Sequence, residues 1–217
     1  MLLLDEMNRV DLSRLLGECF AALEDRDAEV DLPALDPGGG VRTLRIPADL
    51  HFIGTLNLID QSVEQLDFAL RRRFLWLHCG FRAEVIPDVI EQRWAVEPRS
   101  GHHPWSRLSS DIDQLTERAT ELNREIASSR LLGEQYELGH TYFFDIAAFI
   151  ARWPTVASRG YRPRSYLWKS GGDPQPPLRD LWCHSLAPLL SEYLAGIDPE
   201  ARRRELDRLQ QVFFFGA

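Results

Sequence analysis

The chain has 217 residues, 44% of them hydrophobic and 27% charged, a composition that can bury a core and excludes disorder along the whole length. With 25 basic against 33 acidic residues the net charge is -8, which excludes a broad nucleic-acid-binding surface; any such contact must be local or belong to another domain. Cys19, Cys79 and Cys183 have no paired spacing, so neither a disulfide framework nor a zinc cluster is expected and a reducing cytoplasm fits best.

In chain order, Leu2 to Leu4 is a short apolar run that predicts a buried strand, with Asp5 and Glu6 at its C-terminal tip. Those two acids follow Met1 too soon for a signal peptide, and no later run approaches the roughly 20 apolar residues of a membrane span. Leu12, Leu15, Leu16, Cys19, Phe20 and Leu23 recur at helical spacing. Residues 31 to 40 form a turn-rich break, followed by an exposed hairpin arm at Val41, Thr43 and Arg45 that Pro47 ends. His51 to Leu56 predicts a second buried strand, with Asn57 where it opens into a loop. Val63, Leu66 and Leu70 mark a short helix closed by Arg71, Arg72 and Arg73, and the aromatic-rich Phe74 to Cys79 is a further strand candidate. Strand alternating with helix implies a parallel sheet.

After about residue 82 the pattern is helical only. One stripe comprises Ile112, Leu115, Ala119, Leu122 and Ile126; a second Ile146, Phe149, Ile150 and Trp153; a third Leu181, Trp182, Leu186, Leu189, Leu190 and Tyr193. Ser158 to Pro177 reads as a long loop. The expected fold class is therefore α/β, with a sheet unit over residues 1–81 and a helical unit over 82–217.

Two adjacent carboxylates at a strand tip suit a nucleotide hydrolase, where the first holds magnesium, usually through water, and the second takes a proton from the attacking water or orients it. By itself the same pattern also describes a solvated turn. The following segments narrow the choice. Asp5-Glu6-Met7-Asn8-Arg9 resembles the Asp-Glu-Ile-Asn-Arg signature of McrB-type AAA+ proteins. Gly54-Thr55-Leu56-Asn57-Leu58-Ile59-Asp60 resembles that family's Gly-Thr-Met-Asn-x-x-Asp segment, and Leu66 to Phe74 its arginine-finger segment. Leu138 to Phe143 is similar to the Gly-His-Ser-Tyr-Phe element of the helical lid, and Leu186 to Tyr193 to the Ile-Pro-Leu-Leu-x-Glu-Tyr run near its end.

This resemblance implies an incomplete AAA+ parallel-sheet core of the P-loop NTPase class followed by an α-helical lid. It implies Mg2+ with ATP or GTP as cofactors, with Asp5 the water-mediated magnesium residue and Glu6 the catalytic carboxylate. Asn57 takes the place of sensor 1, its other reading being a helix cap near Ser62, and Asp60 helps to position the polar network. Arg72 and Arg73 take the place of arginine fingers, while Arg71 is expected to pair with a surface acid. His140 stands roughly where related ATPases place sensor 2; its other reading is a packing residue. His184 reads as core, and His102 and His103 lack neighbours at metal-ligand spacing. The partners implied are other AAA+ protomers in a ring, a McrC-like nuclease subunit and, through them, DNA.

These residues contain no Gly-x-x-x-x-Gly-Lys-Ser/Thr loop, which in the family cradles the phosphates upstream of the strand seen at Leu2. The expectation is a chain that begins mid-domain, through a truncated gene model or in fact, with exposed sheet edges and poor nucleotide affinity by itself. An alternative of another class is a non-hydrolysing fragment or partner subunit that lends arginines to a complete protomer.

Overall fold

The computed structural model describes residues 1–9, 17, 19–35, 39–56, 71–98, 100–153 and 163–216, arranged as two compact units, Met1–His78 and Cys79–Ala217. The first unit holds β1 (Leu2–Leu4), α1 (Cys19–Glu24), β2 (Val30–Leu35), β3 (Val41–Leu44) and β4 (Phe52–Gly54). Strands β1 and β4 pair in parallel, Leu2 opposite Phe52 and Leu4 opposite Gly54, as the strand-helix alternation implies. Strands β2 and β3 form a separate antiparallel hairpin. The sequence reading treated residues 31 to 40 as a break, but Val30–Leu35 is the partner strand of the hairpin arm. Pro33 is accommodated because the ladder slips register between Asp31 and Leu35, where the missing N–H interrupts nothing.

Two further expectations fail in this unit. Residues 74 to 80 form no strand, and Leu75 and Leu77 are almost wholly exposed. Aromatic and β-branched side chains favour strands only where a ladder and a covering face exist, and among the described residues this segment has neither. Leu2, Leu3 and Ile53 are likewise exposed, not buried, because no third strand or helix covers them among the described residues. The predicted helix positions Leu12, Leu15 and Leu16, and the helix through Val63, Leu66 and Leu70, lie outside the described residues.

The second unit is helical: α2 (Val85–Ala95), α3 (Trp105–Ser128), α4 (Ile146–Arg152), α5 (Pro176–Leu181), α6 (Ala187–Tyr193) and α7 (Pro199–Phe215). All five residues of the first stripe are fully buried on α3, and Ile146 and Ile150 are buried on α4. The third stripe runs through α5, a single π turn at Trp182–Leu186 and α6. The wider turn carries His184 to the surface, where it stacks on Phe149 at 6.2 Å between ring centres, so it is not the core residue its apolar neighbours suggested. Helix α7 escaped the periodicity reading, yet its punctuation is complete. Asp198 caps it by accepting from the N–H groups of Glu200 and Ala201, Pro199 opens it, and Gly216 at φ 93 closes it.

Two polar residues interrupt the apolar face of α3, and both are buried. Asp111 accepts from the Ser165 hydroxyl and the Tyr166 N–H, each at 2.6 Å. Burial pushes its carboxyl above the ordinary range while these bonds pull it back. Asn123 donates Nδ2 to the Leu138 carbonyl at 3.0 Å and accepts the Leu138 N–H on Oδ1 at 2.7 Å, a two-point clamp on an irregular segment. At the far end of α3, Arg208 of α7 bonds both carboxylate oxygens of Glu205 and reaches the Glu125 carboxylate, which fastens the two helices together. The Arg208 bonds hold the Glu205 carboxyl below its ordinary range.

Asn123→Ala leaves a buried N–H and a buried carbonyl unpaired, at about 1–3 kcal/mol each. Urea unfolding of the variant is expected to show a loss of about 2–4 kcal/mol, with the protection of the Leu138 amide against hydrogen exchange lost first.

Candidate functional site

Because β1 and β4 are parallel and in register, their C-terminal ends lie level, and the chain leaves them as Asp5-Glu6 on one side and Thr55 on the other. The ladder continues one step beyond the strands: Thr55 N–H donates to the Leu4 carbonyl at 2.9 Å, and Met7 N–H to the Thr55 carbonyl at 2.8 Å. The Thr55 hydroxyl then serves both acids. It accepts the Glu6 N–H at 3.0 Å and donates to Asp5 Oδ1 at 2.5 Å. Asp5 Oδ2 has no partner among the described residues.

Glu6 adopts φ 49, in the left-handed region, which costs a non-glycine residue on the order of 1 kcal/mol. The bond from its N–H to Thr55 helps to hold this conformation, and the sharp reversal sends the chain into a 3-10 turn at Met7–Arg9. There Arg9 Nε lies 2.9 Å from Glu6 Oε2. Both groups are exposed, so the pair adds little stability, but it fixes where the carboxylate rests. Below the turn, Met7 is buried against Leu4, Leu23, Leu56 and Phe74. Gly54 makes room for it, since a Cβ at that position would stand 2.2 Å from the Met7 sulfur.

The three consecutive arginines have three different environments. Arg71 lies over the Trp76 ring at 5.4 Å, and its carbonyl accepts the Trp76 indole N–H; no acid pairs with it among the described residues, contrary to the expectation of a surface ion pair. Arg73, 13% exposed, meets Glu24 of α1 at 2.9 Å. Arg72, 69% exposed, has the same carboxylate at 3.5 Å. Asn57 and Asp60 lie outside the described residues, so their place beside Asp5 and Glu6 is not among these distances. Thr55 is the site residue that the sequence reading passed over. Its signal was present, a hydroxyl at the same strand tip as the acids, but the neighbouring asparagine drew the reading.

In the second unit, His140 opens a 3-10 turn running to Asp145, directly after the Leu138 segment that Asn123 clamps. Its ring tilts against Phe144 at 5.8 Å, and its buried Nδ1 has no hydrogen-bond partner among the described residues. Arg93 lies over the other partner of this stack, 5.1 Å from the centre of the Phe144 ring. No group of three or more His, Cys, Asp or Glu side chains converges on a metal position among the described residues. No helix among them is long and apolar enough to cross a membrane.

Residues 114–202, which contain the Asn123 clamp, His140 and the π turn, match the family described as "McrB, alpha-helical lid domain". Over these residues the chain is similar to the McrB lid. The chain is also 29% identical over 146 residues to the "Type IV methyl-directed restriction enzyme EcoKMcrB subunit" of Escherichia coli strain K12. That alignment covers 65% of this chain and 29% of the relative, so the chain spans about three-tenths of the relative's length. The matched residues take in the two late motifs, Leu138 to Phe143 and Leu186 to Tyr193.

The Gly54 contact is open to a direct check. Gly54→Ala forces the new methyl against Met7 and is expected to destabilise the first unit by about 1–3 kcal/mol, seen as faster hydrogen exchange of the β1 and β4 amides. Adding Met7→Ala relieves the clash and should recover part of the loss if the sulfur is the obstacle.

Proposed function

We propose that this chain supplies the hydrolysis half of a McrB-type AAA+ nucleoside-triphosphatase, an ATPase or GTPase motor of a DNA restriction system. The supporting observation is the convergence of Asp5, Glu6 and Thr55 on level tips of two parallel strands, in a chain whose residues 114–202 match the McrB lid family. Chemistry in open α/β sheets gathers at such tips.

In this reading Glu6 accepts the proton of the attacking water, and its exposed carboxylate must turn from Arg9 toward the substrate to do so. Thr55 positions both acids, by its bond to the Glu6 backbone and its bond to Asp5. Asp5 keeps Oδ2 for a cation or its hydration shell, and a lone carboxylate oxygen is the donor type that magnesium takes in nucleotide sites, where water and phosphate complete the shell. Asp5 would hold magnesium there, which would supply neutralisation of charge on the phosphate oxygens. Asn57 orients the water or the γ-phosphate and Asp60 supports it. His140, whose buried Nδ1 has no hydrogen-bond partner among the described residues, donates one hydrogen bond to a phosphate oxygen in this reading. Arg72, solvent-facing, acts as the finger toward a neighbouring protomer, while Arg73 is a positioning residue that anchors the segment on Glu24. The ring of protomers, a McrC-like nuclease and indirect contact with DNA complete the proposal.

The phosphate-binding loop is not among these 217 residues. The test therefore uses a polypeptide in which a Gly-x-x-x-x-Gly-Lys-Ser/Thr loop and its strand precede Leu2. Glu6→Gln in that protein is expected to reduce magnesium-dependent turnover of ATP or GTP by about 10² to 10⁴, with nucleotide binding retained. Turnover equal to that of the parent removes Glu6 from the mechanism.

The exposure of Arg72 also favours a second reading, in which the chain does not hydrolyse nucleotide itself but lends this arginine to a complete protomer. Mixed with a P-loop-bearing homologue such as the Escherichia coli subunit, the chain should then stimulate hydrolysis. An arginine finger contributes on the order of 10³ or more in rate, so Arg72→Ala should abolish that stimulation, whereas an unaltered response excludes this role.

A further inference from the structure

A cavity of the second unit lies away from His140, between the N-terminal half of α3, the segment 163–175 and the end of α7. It encloses about 740 Å³. Three cations line it, Arg118, Arg164 and Lys169, together with the ring of Phe215. Its one acid, Asp111, is buried, with one oxygen given to the Ser165 hydroxyl and the other to the Tyr166 N–H. Arg118 shares one nitrogen with Glu121 at 2.7 Å, and its buried Nε has no hydrogen-bond partner among the described residues. Arg164 and Lys169 are exposed and pair with no acid among the described residues. In a chain of net charge -8, a pocket with two unpaired cations and a third half-paired is a local inversion of the field.

The walls are built rather than incidental. Trp168 donates its indole N–H to the Phe214 carbonyl at 3.0 Å, tying the loop to the last turn of α7. Lys169 stands at the start of a tight turn, in which its N–H donates to the Asp173 carbonyl and its carbonyl accepts from Gly172, held at φ 86. Gly216, at φ 93, lets the Arg118 guanidinium lie against the chain end, since a Cβ there would meet Nη1 at 2.0 Å. Phe214 is buried in the core, but its neighbour Phe215 leaves 49% of its surface exposed at the rim among the described residues, an apolar face beside cations.

Cations that hold an anion, next to an exposed aromatic face, are the pairing that recognises a phosphate joined to a planar base. We propose that this pocket of the lid binds a nucleoside phosphate unit, its phosphate on Arg164, Lys169 and Arg118 and its base against Phe215. The inference stands independently of the hydrolytic reading, because none of these residues belongs to the strand tips. The same chemistry is offered by a free nucleotide and by one unit of a single-stranded nucleic acid.

The test measures fluorescence anisotropy of a short labelled oligothymidylate with the full chain at low salt. Binding is expected, and it should weaken as salt rises, by about 0.7 in log K per log salt for each phosphate contacted. Arg164→Gln with Lys169→Gln should lower affinity tenfold or more, and Phe215→Ala by about tenfold through loss of stacking. All three side chains are exposed, so the fold should be untouched, which the thermal transition checks. Thymidine monophosphate that displaces the probe at a concentration near its own affinity identifies a free nucleotide as sufficient; failure to displace it identifies the strand. No binding, or binding that survives the double substitution, overturns the proposal. So does binding unaltered by Phe215→Ala, or matched by an oligoglutamate of equal charge, because either outcome reduces the pocket to a plain anion trap.

Discussion

The second unit depends on a single physical arrangement, a 24-residue helix whose buried face carries two side chains able to satisfy foreign backbone. A face of leucine and isoleucine alone could pack against other helices, but it could not receive irregular chain, since each buried N–H and carbonyl without a partner costs as much as a lost hydrogen bond. Asp111 and Asn123 remove that obstacle at two places. At one end of α3 the acid receives the segment that builds the basic pocket. Further along, the amide receives Leu138 and so sets the starting point of the turn bearing His140. Both candidate ligand-facing features of the second unit are thus hung on the same helix, through hydrogen bonds rather than through shape alone.

The first unit uses the same economy with one hydroxyl. Thr55 accepts from a backbone N–H and donates to a carboxylate, so two consecutive acids are held in unlike positions: Asp5 near the ladder, Glu6 swung out by its left-handed backbone. Adjacent like charges on an extended chain would point to opposite faces. The left-handed turn departs from that alternation, and the glycine at position 54 is required because the side chain following the turn, Met7, fills the space beneath it. Acid pair, threonine, methionine and glycine form one mechanical unit, although they lie some fifty positions apart in the sequence.

How much of this was legible follows from which forces leave a local pattern. The apolar stripes of α3, α4 and the α5 to α6 rod were readable, because a helix face must repeat every three or four residues. The pairing of two strands in parallel was readable from the alternation of elements, and the lid from the two late motifs. Buried polar partners were not: Asn123 and Asp111 look like interruptions of a stripe, and only the tertiary position of Leu138 and Ser165 makes them its anchors. The Phe74 to Cys79 run illustrates the converse, since strand propensity with no neighbouring strand among the described residues leaves Leu75 and Leu77 exposed. Helix α7 could have been found from Asp198-Pro199-Glu200 and Gly216, where the capping signal is stronger than the apolar periodicity.

Arg71, Arg72 and Arg73 show most plainly why residue type alone does not assign a role. They are chemically identical, yet one stacks on an indole, one stands in solvent and one is drawn inward to Glu24. An arginine that must reach another subunit needs a free guanidinium at the end of a stiff support, because each loose torsion spreads its charge over a larger volume and weakens its effect on a developing phosphate charge. Arg73, 13% exposed and bridged to α1 through Glu24, is more firmly held than Arg72. Arg72 meets the same Glu24 carboxylate at 3.5 Å while keeping 69% of its side chain exposed. A single acid therefore meets two neighbouring identical residues that differ in exposure, one drawn inward and the other facing solvent, with Glu24 common to both.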